Sequence, residues 1–220
     1  LTNLNLIKVI DGSNFTEKDL PKIGTTGIIF MSQSGEIKDL HRCVEIAKNH
    51  HIFTIGVINV VDSMIAREVN CGIYLNSGRE VGVASTKSFT SMTVVLLLIA
   101  IYMSQINDLN KIEREHYITD LKSLSQNIED TIDIYEKQIK KYIGFLKEKS
   151  SLFILGKGPD AAVSSEGALK IKEISYIHAE GYSSSSLKHG PFALLEKNYP
   201  VILLAPDNEY YYKSLNIYEE

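Results

Sequence analysis

The chain has 220 residues, 44% of them hydrophobic, and a formal net charge of −4, so it is long enough for one large domain or two small ones with a core. The mild acidity gives no reason to expect a nucleic acid or an anionic membrane as a partner. Two cysteines without a CxxC motif exclude a disulfide framework and indicate a reducing compartment, so we expect a cytoplasmic protein.

The first region, residues 1–104, alternates strand-like and helix-like segments. Residues 27–31 predict a buried strand, and a helix with one apolar face follows from about residue 36 to 49. Residues 52–60 and 72–75 predict two more strands. This order favours parallel βαβ units.

A long apolar run at residues 92–103 ends the first region. It is shorter than the roughly 20 residues that span a bilayer. We therefore predict a fully buried helix that begins at Ala84-Ser85-Thr86, and no membrane partner.

The rest of the chain predicts a connector and a second lobe. Residues 105–149 carry apolar side chains at helical spacing, which predicts an amphipathic helix, broken once, that connects two lobes. Residues 150–220 repeat the plan of the first region, with a strand at 151–156, a helix to about 178 and a strand at 199–205. The fold class is therefore α/β, with two related lobes.

Two polar turns lie where helices begin. Ser32, Gln33 and Ser34 follow the first strand, and Ser85 lies at the start of the apolar helix. Helix N-termini and the carboxyl ends of parallel strands both suit an anion such as phosphate. Each serine is also an ordinary helix cap, so the residues alone leave both readings open.

Acidic, basic and histidine side chains concentrate between residues 164 and 196. Glu166, Lys170 and Glu173 share one helix face at this spacing. They form either a surface ion-pair ladder or part of an acid/base site. His189 follows a polar, serine-rich segment that suits presentation of an imidazole, and Gly190-Pro191 would set its turn.

Four segments in order carry a family resemblance: SQSGE at 32–36, VASTK at 83–87, EGALKIKEISYIHAEG at 166–181 and LKHGP at 187–191. They resemble the isomerase domain of the glutamine–fructose-6-phosphate aminotransferase family. The likeness runs from about Val9 to Pro206 and implies two tandem sugar-isomerase (SIS) lobes, each a parallel sheet flanked by helices. We expect both lobes to be truncated in this chain.

The resemblance also implies roles for individual residues. Glu173 matches the enolisation base, Lys170 a pocket lysine, and His189 a ring-opening histidine that reaches the neighbouring site of a homodimer. The substrate-binding positions that it implies are Ser32, Gln33, Ser34, Val83, Ser85 and Glu166. Ile37 stands where the family usually has a threonine that helps to hold the phosphate.

The implied activity is conversion of fructose 6-phosphate to glucosamine 6-phosphate with ammonia from glutamine. No cofactor and no metal are expected. The family's glutaminase domain, its upstream Cys-Gly-Thr-Ser turn and its C-terminal lysine have no match here, and we expect the glutaminase domain in the full-length protein. The alternatives are a related fructosamine-phosphate deglycase or phosphosugar isomerase, and a non-catalytic phosphosugar-sensing module.

Overall fold

The computed structural model describes residues 4–107 and 110–219. The chain divides into two compact units, the first formed by residues up to Val81 with Ser85–Gln126, and the second by Gly82–Ala84 with residues from Asn127 onward. Each unit contains a three-stranded, fully parallel sheet with helices beside it. This confirms the predicted α/β class with parallel sheets.

In the first unit the strand order is β1-β2-β3, with Gly27 opposite Phe53 and Ile55 opposite Cys71. The predicted strands, the first helix and the apolar helix are confirmed, whereas α2 was not predicted. The elements are β1 (Gly27–Ser32), α1 (Lys38–Asn49), β2 (Phe53–Ile58), α2 (Met64–Glu68), β3 (Cys71–Tyr74) and α3 (Lys87–Asn107), with a 3-10 helix at Glu17–Asp19.

The core of this unit lies on one face of its sheet. Phe30 of β1 packs with Val44 of α1 and Ile58 of β2, and all three are buried. The alternate side chains of β1, Ile29 and Met31, are 38% and 40% exposed. The prediction of a buried strand is therefore right in type and wrong in burial, because the second face of β1 is only partly covered, although Val57 beside Met31 on β2 is buried.

Helix α3 corrects a second prediction of burial. Among its described side chains, Ser88, Ile101 and Ser104 are buried and the others are partly or largely exposed. Its apolar residues surround the whole circumference, so packing on one side leaves the remainder uncovered. By length and composition alone, Lys87–Ile106 could cross a membrane, but these two properties do not place it in one.

The predicted connector forms two helices, α4 (Lys111–Lys140) and α5 (Ile143–Lys147). This confirms a helix that is interrupted once. The division between the two units falls inside α4, which buries none of its described residues. Its role as a connector between lobes stays a prediction.

In the second unit β4 is the central strand, paired with β5 on one side and β6 on the other. Leu152, Phe153, Ile154 and Leu155 of β4 are buried in two apolar clusters. The elements are β4 (Ser151–Gly156), α6 (Asp160–Ser175), β5 (His178–Ser183), β6 (Val201–Leu203) and α7 (Tyr211–Glu219), with 3-10 helices at Ser186–His189 and Pro191–Leu194.

The end of α6 differs from the sequence prediction. The helix stops at Ser175 because Tyr176 adopts a left-handed conformation with φ of 61°, which ends helices. His178 then begins β5 instead of ending the helix. Strand β5 therefore occupies part of the polar, serine-rich segment that precedes His189.

Candidate functional site

The turn after β1 is built by its own serines. Ser32 is buried, and its Oγ accepts a hydrogen bond from the Gly35 amide at 2.9 Å, while Ser34 Oγ accepts one from the Glu36 amide at 3.2 Å. The N-cap of α1 is Ile37, and no side chain among the described residues caps this helix. The first amides of α1 consequently lack the side-chain acceptor that a threonine would supply.

A cleft of about 440 Å³ lies in the first unit, where its three strands end. Gln33 lines it, as the predicted polar turn would suggest. The other lining residues follow β2 and β3, and sequence reasoning did not assign them: Asn59, Val60, Val61, Asn76, Gly78 and Arg79. Their positions directly after predicted strands could have indicated them, because ligands of parallel sheets bind beyond the carboxyl ends of several strands.

The start of α3 is occupied by a carboxylate of the same chain. Glu80 Oε1 accepts hydrogen bonds from the amides of Thr86 and Ser88, each at 3.0 Å, and from the Ser85 hydroxyl at 3.3 Å. The Ser88 amide is the main cause that lowers the pKa of Glu80, and the hydroxyls of Ser88 and Ser85 add to it. The Ser85 hydroxyl thus contacts Glu80, and Val83 is 87% exposed.

Helix α6 brings the predicted acid/base residues together. Lys170 Nζ lies 2.7 Å from Glu173 Oε2 and 3.4 Å from Glu166 Oε1, and the three side chains are 21%, 24% and 27% exposed. Partial burial of the ammonium group opposes its charge, but hydrogen bonds to Glu173 and Glu166 outweigh that effect and raise the pKa of Lys170. The lysine therefore stays protonated and holds two carboxylates beside one cation.

His189 lies apart from this cluster. It ends the 3-10 helix Ser186–His189 and is exposed. Within residues 4–107 and 110–219, no hydrogen bond or ion pair joins it to the α6 side chains. Gly190, with φ of 142°, and Pro191 at the start of the next 3-10 helix make the turn, as predicted.

A second row of polar side chains lies on β5. His178 Nε2 is 3.2 Å from Glu180 Oε1, and the Tyr182 hydroxyl donates to the same carboxylate. The hydrogen bond from Tyr182 is the main cause that lowers the pKa of Glu180. In the described part of the chain, no group of three His, Cys, Asp or Glu side chains could hold a metal ion.

A family model for the SIS domain matches residues 17–102 and 145–217, which include every strand of both sheets. The chain belongs to the SIS domain family. This SIS chain is 47% identical over 214 residues to a protein of Acanthamoeba polyphaga mimivirus named as a probable glutamine–fructose-6-phosphate aminotransferase (isomerizing). It is 38% identical over 213 residues to the glutamine–fructose-6-phosphate aminotransferase of Aquifex aeolicus.

These two alignments cover 97% of the chain but 35% of each relative, so the chain spans about a third of their length. Among solved structures, the C-terminal domain of the Francisella tularensis glucosamine–fructose-6-phosphate aminotransferase matches with a TM-score of 0.84 and 33% identity, over 87% of this chain and 54% of that one. A Thermotoga maritima glucosamine-6-phosphate deaminase matches with a TM-score of 0.73 at 22% identity, over 94% of this chain and 61% of that one. At this identity the match shows the fold alone. The family resemblance in the sequence is thereby confirmed.

Proposed function

We propose that this SIS chain is the isomerase portion of a glutamine–fructose-6-phosphate aminotransferase. In that role it binds fructose 6-phosphate and, with ammonia derived from glutamine, yields glucosamine 6-phosphate. The names of its relatives support this proposal. The observation that carries it is the α6 cluster, in which one lysine holds the carboxylates of Glu166 and Glu173.

The chemistry requires four events: opening of the sugar ring, condensation of ammonia with the C2 carbonyl with loss of water, transfer of a proton from C1 to C2 of the resulting imine, and stabilisation of the negative charge that develops. Glu173 serves as the base that takes the proton from C1 and returns it at C2. Lys170 fixes the direction of that carboxylate at 2.7 Å and offers a positive charge to the developing oxyanion. Glu166 keeps the lysine in place from its other side.

The first unit supplies the phosphate site in this proposal. The turn of Ser32, Gln33 and Ser34 lies at the carboxyl end of β1 and leads into α1. The amides and dipole of a helix N-terminus favour an anion there. Val83 and Ser85 would contact the sugar, and Ser85 would have to turn from Glu80 to do so.

The proposal also includes a second copy of the chain, a glutaminase part of the protein and a cellular location. His189 would open the ring in the site of a second copy, and its exposure and separation from the α6 cluster suit that role. The glutaminase activity would belong to the part of the protein that this chain does not span. We propose a cytoplasmic location, which agrees with the free cysteines Cys43 and Cys71.

The test is exchange of the C1 proton of fructose 6-phosphate in D2O, followed by NMR. Glu173→Gln should abolish this exchange and leave the dissociation constant for the sugar phosphate within about threefold of wild type, because the change removes the base and keeps the shape of the side chain. Glu148→Gln, the same change at an exposed position, should exchange like wild type. Full exchange by Glu173→Gln, or none by the wild-type chain, would contradict the proposal.

A further inference from the structure

The cleft of the first unit contains one ionisable side chain. Its described lining consists of two valines, a glycine, three side-chain amides and the guanidinium of Arg79. No carboxylate of the described residues lines it. The cleft therefore carries a net positive charge and apolar surface from Val60 and Val61, which suits a ligand that combines an anionic group with a carbon skeleton.

The main chain that carries Arg79 is fixed at the edge of this cleft. The side-chain nitrogen of Asn59, Nδ2, donates to the Gly78 carbonyl at 2.7 Å. The side-chain oxygen of Asn59, Oδ1, accepts hydrogen bonds from the backbone amide and the hydroxyl of Ser77 at 3.0 and 2.8 Å. Lys87 Nζ donates to the Arg79 carbonyl at 2.9 Å. These contacts hold the backbone from which the exposed side chain of Arg79 extends.

The guanidinium itself has no acceptor among the described residues. The neighbouring carboxylate, Glu80, accepts hydrogen bonds from the start of α3, and the ion pairs of this unit involve other cations. A guanidinium offers planar, paired donors that match two phosphate oxygens. Arg79 is thus a cation with free donors on a cleft that also contains Gln33.

We propose that Arg79 binds the phosphate group of the ligand in this cleft. This inference rests on the proposed function, and it assigns a residue that neither the family motifs nor the sequence predictions include. It also explains how phosphate could be held although Ile37 replaces the family's threonine and offers no hydroxyl at the start of α1. The positive charge of Arg79 supplies the anion contact that the side chain of Ile37 cannot.

The test compares dissociation constants for fructose 6-phosphate, inorganic phosphate and fructose. Arg79→Gln should raise the dissociation constants for fructose 6-phosphate and inorganic phosphate by roughly tenfold or more, which is the usual effect of losing hydrogen bonds to a charged group. The affinity of Arg79→Lys for both ligands should lie between those of wild type and Arg79→Gln, because lysine keeps the charge and loses the paired donors. The affinity for fructose should be the same in Arg79→Gln and wild type.

Lys22→Gln is the matched control, since it removes one positive charge from an exposed residue in the segment before β1. It should change each constant by less than twofold. If Arg79→Gln binds both phosphates as wild type does, or if Lys22→Gln weakens them equally, the assignment of Arg79 is wrong and the proposed function stands. If the wild-type chain binds no fructose 6-phosphate, both fail.

Discussion

Adding one methyl group at Gly181 should destabilise the second unit severely. Gly181 lies in β5, and a Cβ built there would be 2.4 Å from Ser165 Cα and 2.5 Å from the Ser164 carbonyl oxygen of α6. Ordinary contacts begin near 3.4 Å, so the clash amounts to about 1 Å and involves backbone that cannot rotate away. Overpacking costs about 1–3 kcal/mol, and we expect Gly181→Ala to lower the free energy of unfolding by about 3 kcal/mol.

The assay is urea denaturation monitored by the near-ultraviolet circular dichroism of the tyrosines. Hydrogen exchange of peptides from β4 and β5 gives a local readout. Gly167→Ala is the control on α6 itself, because its added Cβ would meet only the Ile154 side chain, at 3.4 Å. A helical alanine should stabilise that variant by about 0.5–1 kcal/mol. A free energy of unfolding for Gly181→Ala within 0.5 kcal/mol of wild type would refute the close packing of α6 on β5.

Four further predictions concern the site. Because the pKa of Glu80 is lowered, its stabilisation of α3 should be present above the ordinary glutamate pKa and lost as pH falls through the lowered value; in Glu80→Ala the Ser88 amide should exchange faster than in Glu80→Gln, and equal rates would contradict this. Lys170 has a raised pKa, so its contribution should be complete below the ordinary lysine pKa and vanish as pH rises through the raised value, and urea unfolding of Lys170→Met should lack this alkaline loss. Asn59→Ala should cost about 1–2 kcal/mol in urea unfolding, since it leaves backbone groups of the adjoining loop unpaired; no loss would show that the loop is held otherwise. Ile37→Thr should tighten phosphate binding by about 1 kcal/mol if the new hydroxyl is used, and unchanged calorimetric affinity would place the anion elsewhere.

The sequence predicted those elements whose signal is local. The apolar run of β4 was predicted with its observed bounds, Ser151–Gly156, and the spacing of Glu166, Lys170 and Glu173 placed them on one face of α6. Both patterns depend only on residues a few positions apart. This is why strands and helix faces could be read without knowledge of the fold.

Burial and pairing could not be predicted in the same way, because they depend on distant residues. β5 contains His178, Glu180 and Ser183 and lacks an apolar run, yet it is a strand because it pairs in parallel with β4. The central turns of helix α3 are apolar on all sides, but composition does not say how many of those sides meet a neighbour. Long-range packing decides both cases.

The site shows the same division. Ser34 and Ser85 were predicted from their positions at helix starts, but the occupation of the α3 start by Glu80 required the geometry of the loop. Arg79 belongs to no sequence motif, and its loop brings it to the cleft that Gln33 also lines. The cleft residues that sequence reasoning missed, among them Asn59, Asn76 and Arg79, lie on loops.

We propose above all that this SIS chain binds a hexose phosphate. Isothermal calorimetry with fructose 6-phosphate and glucosamine 6-phosphate, and sulfate as the control anion, tests it most directly. We expect both sugar phosphates to bind with micromolar to millimolar dissociation constants and more tightly than sulfate. Binding of neither sugar phosphate, or binding no tighter than that of sulfate, would contradict it.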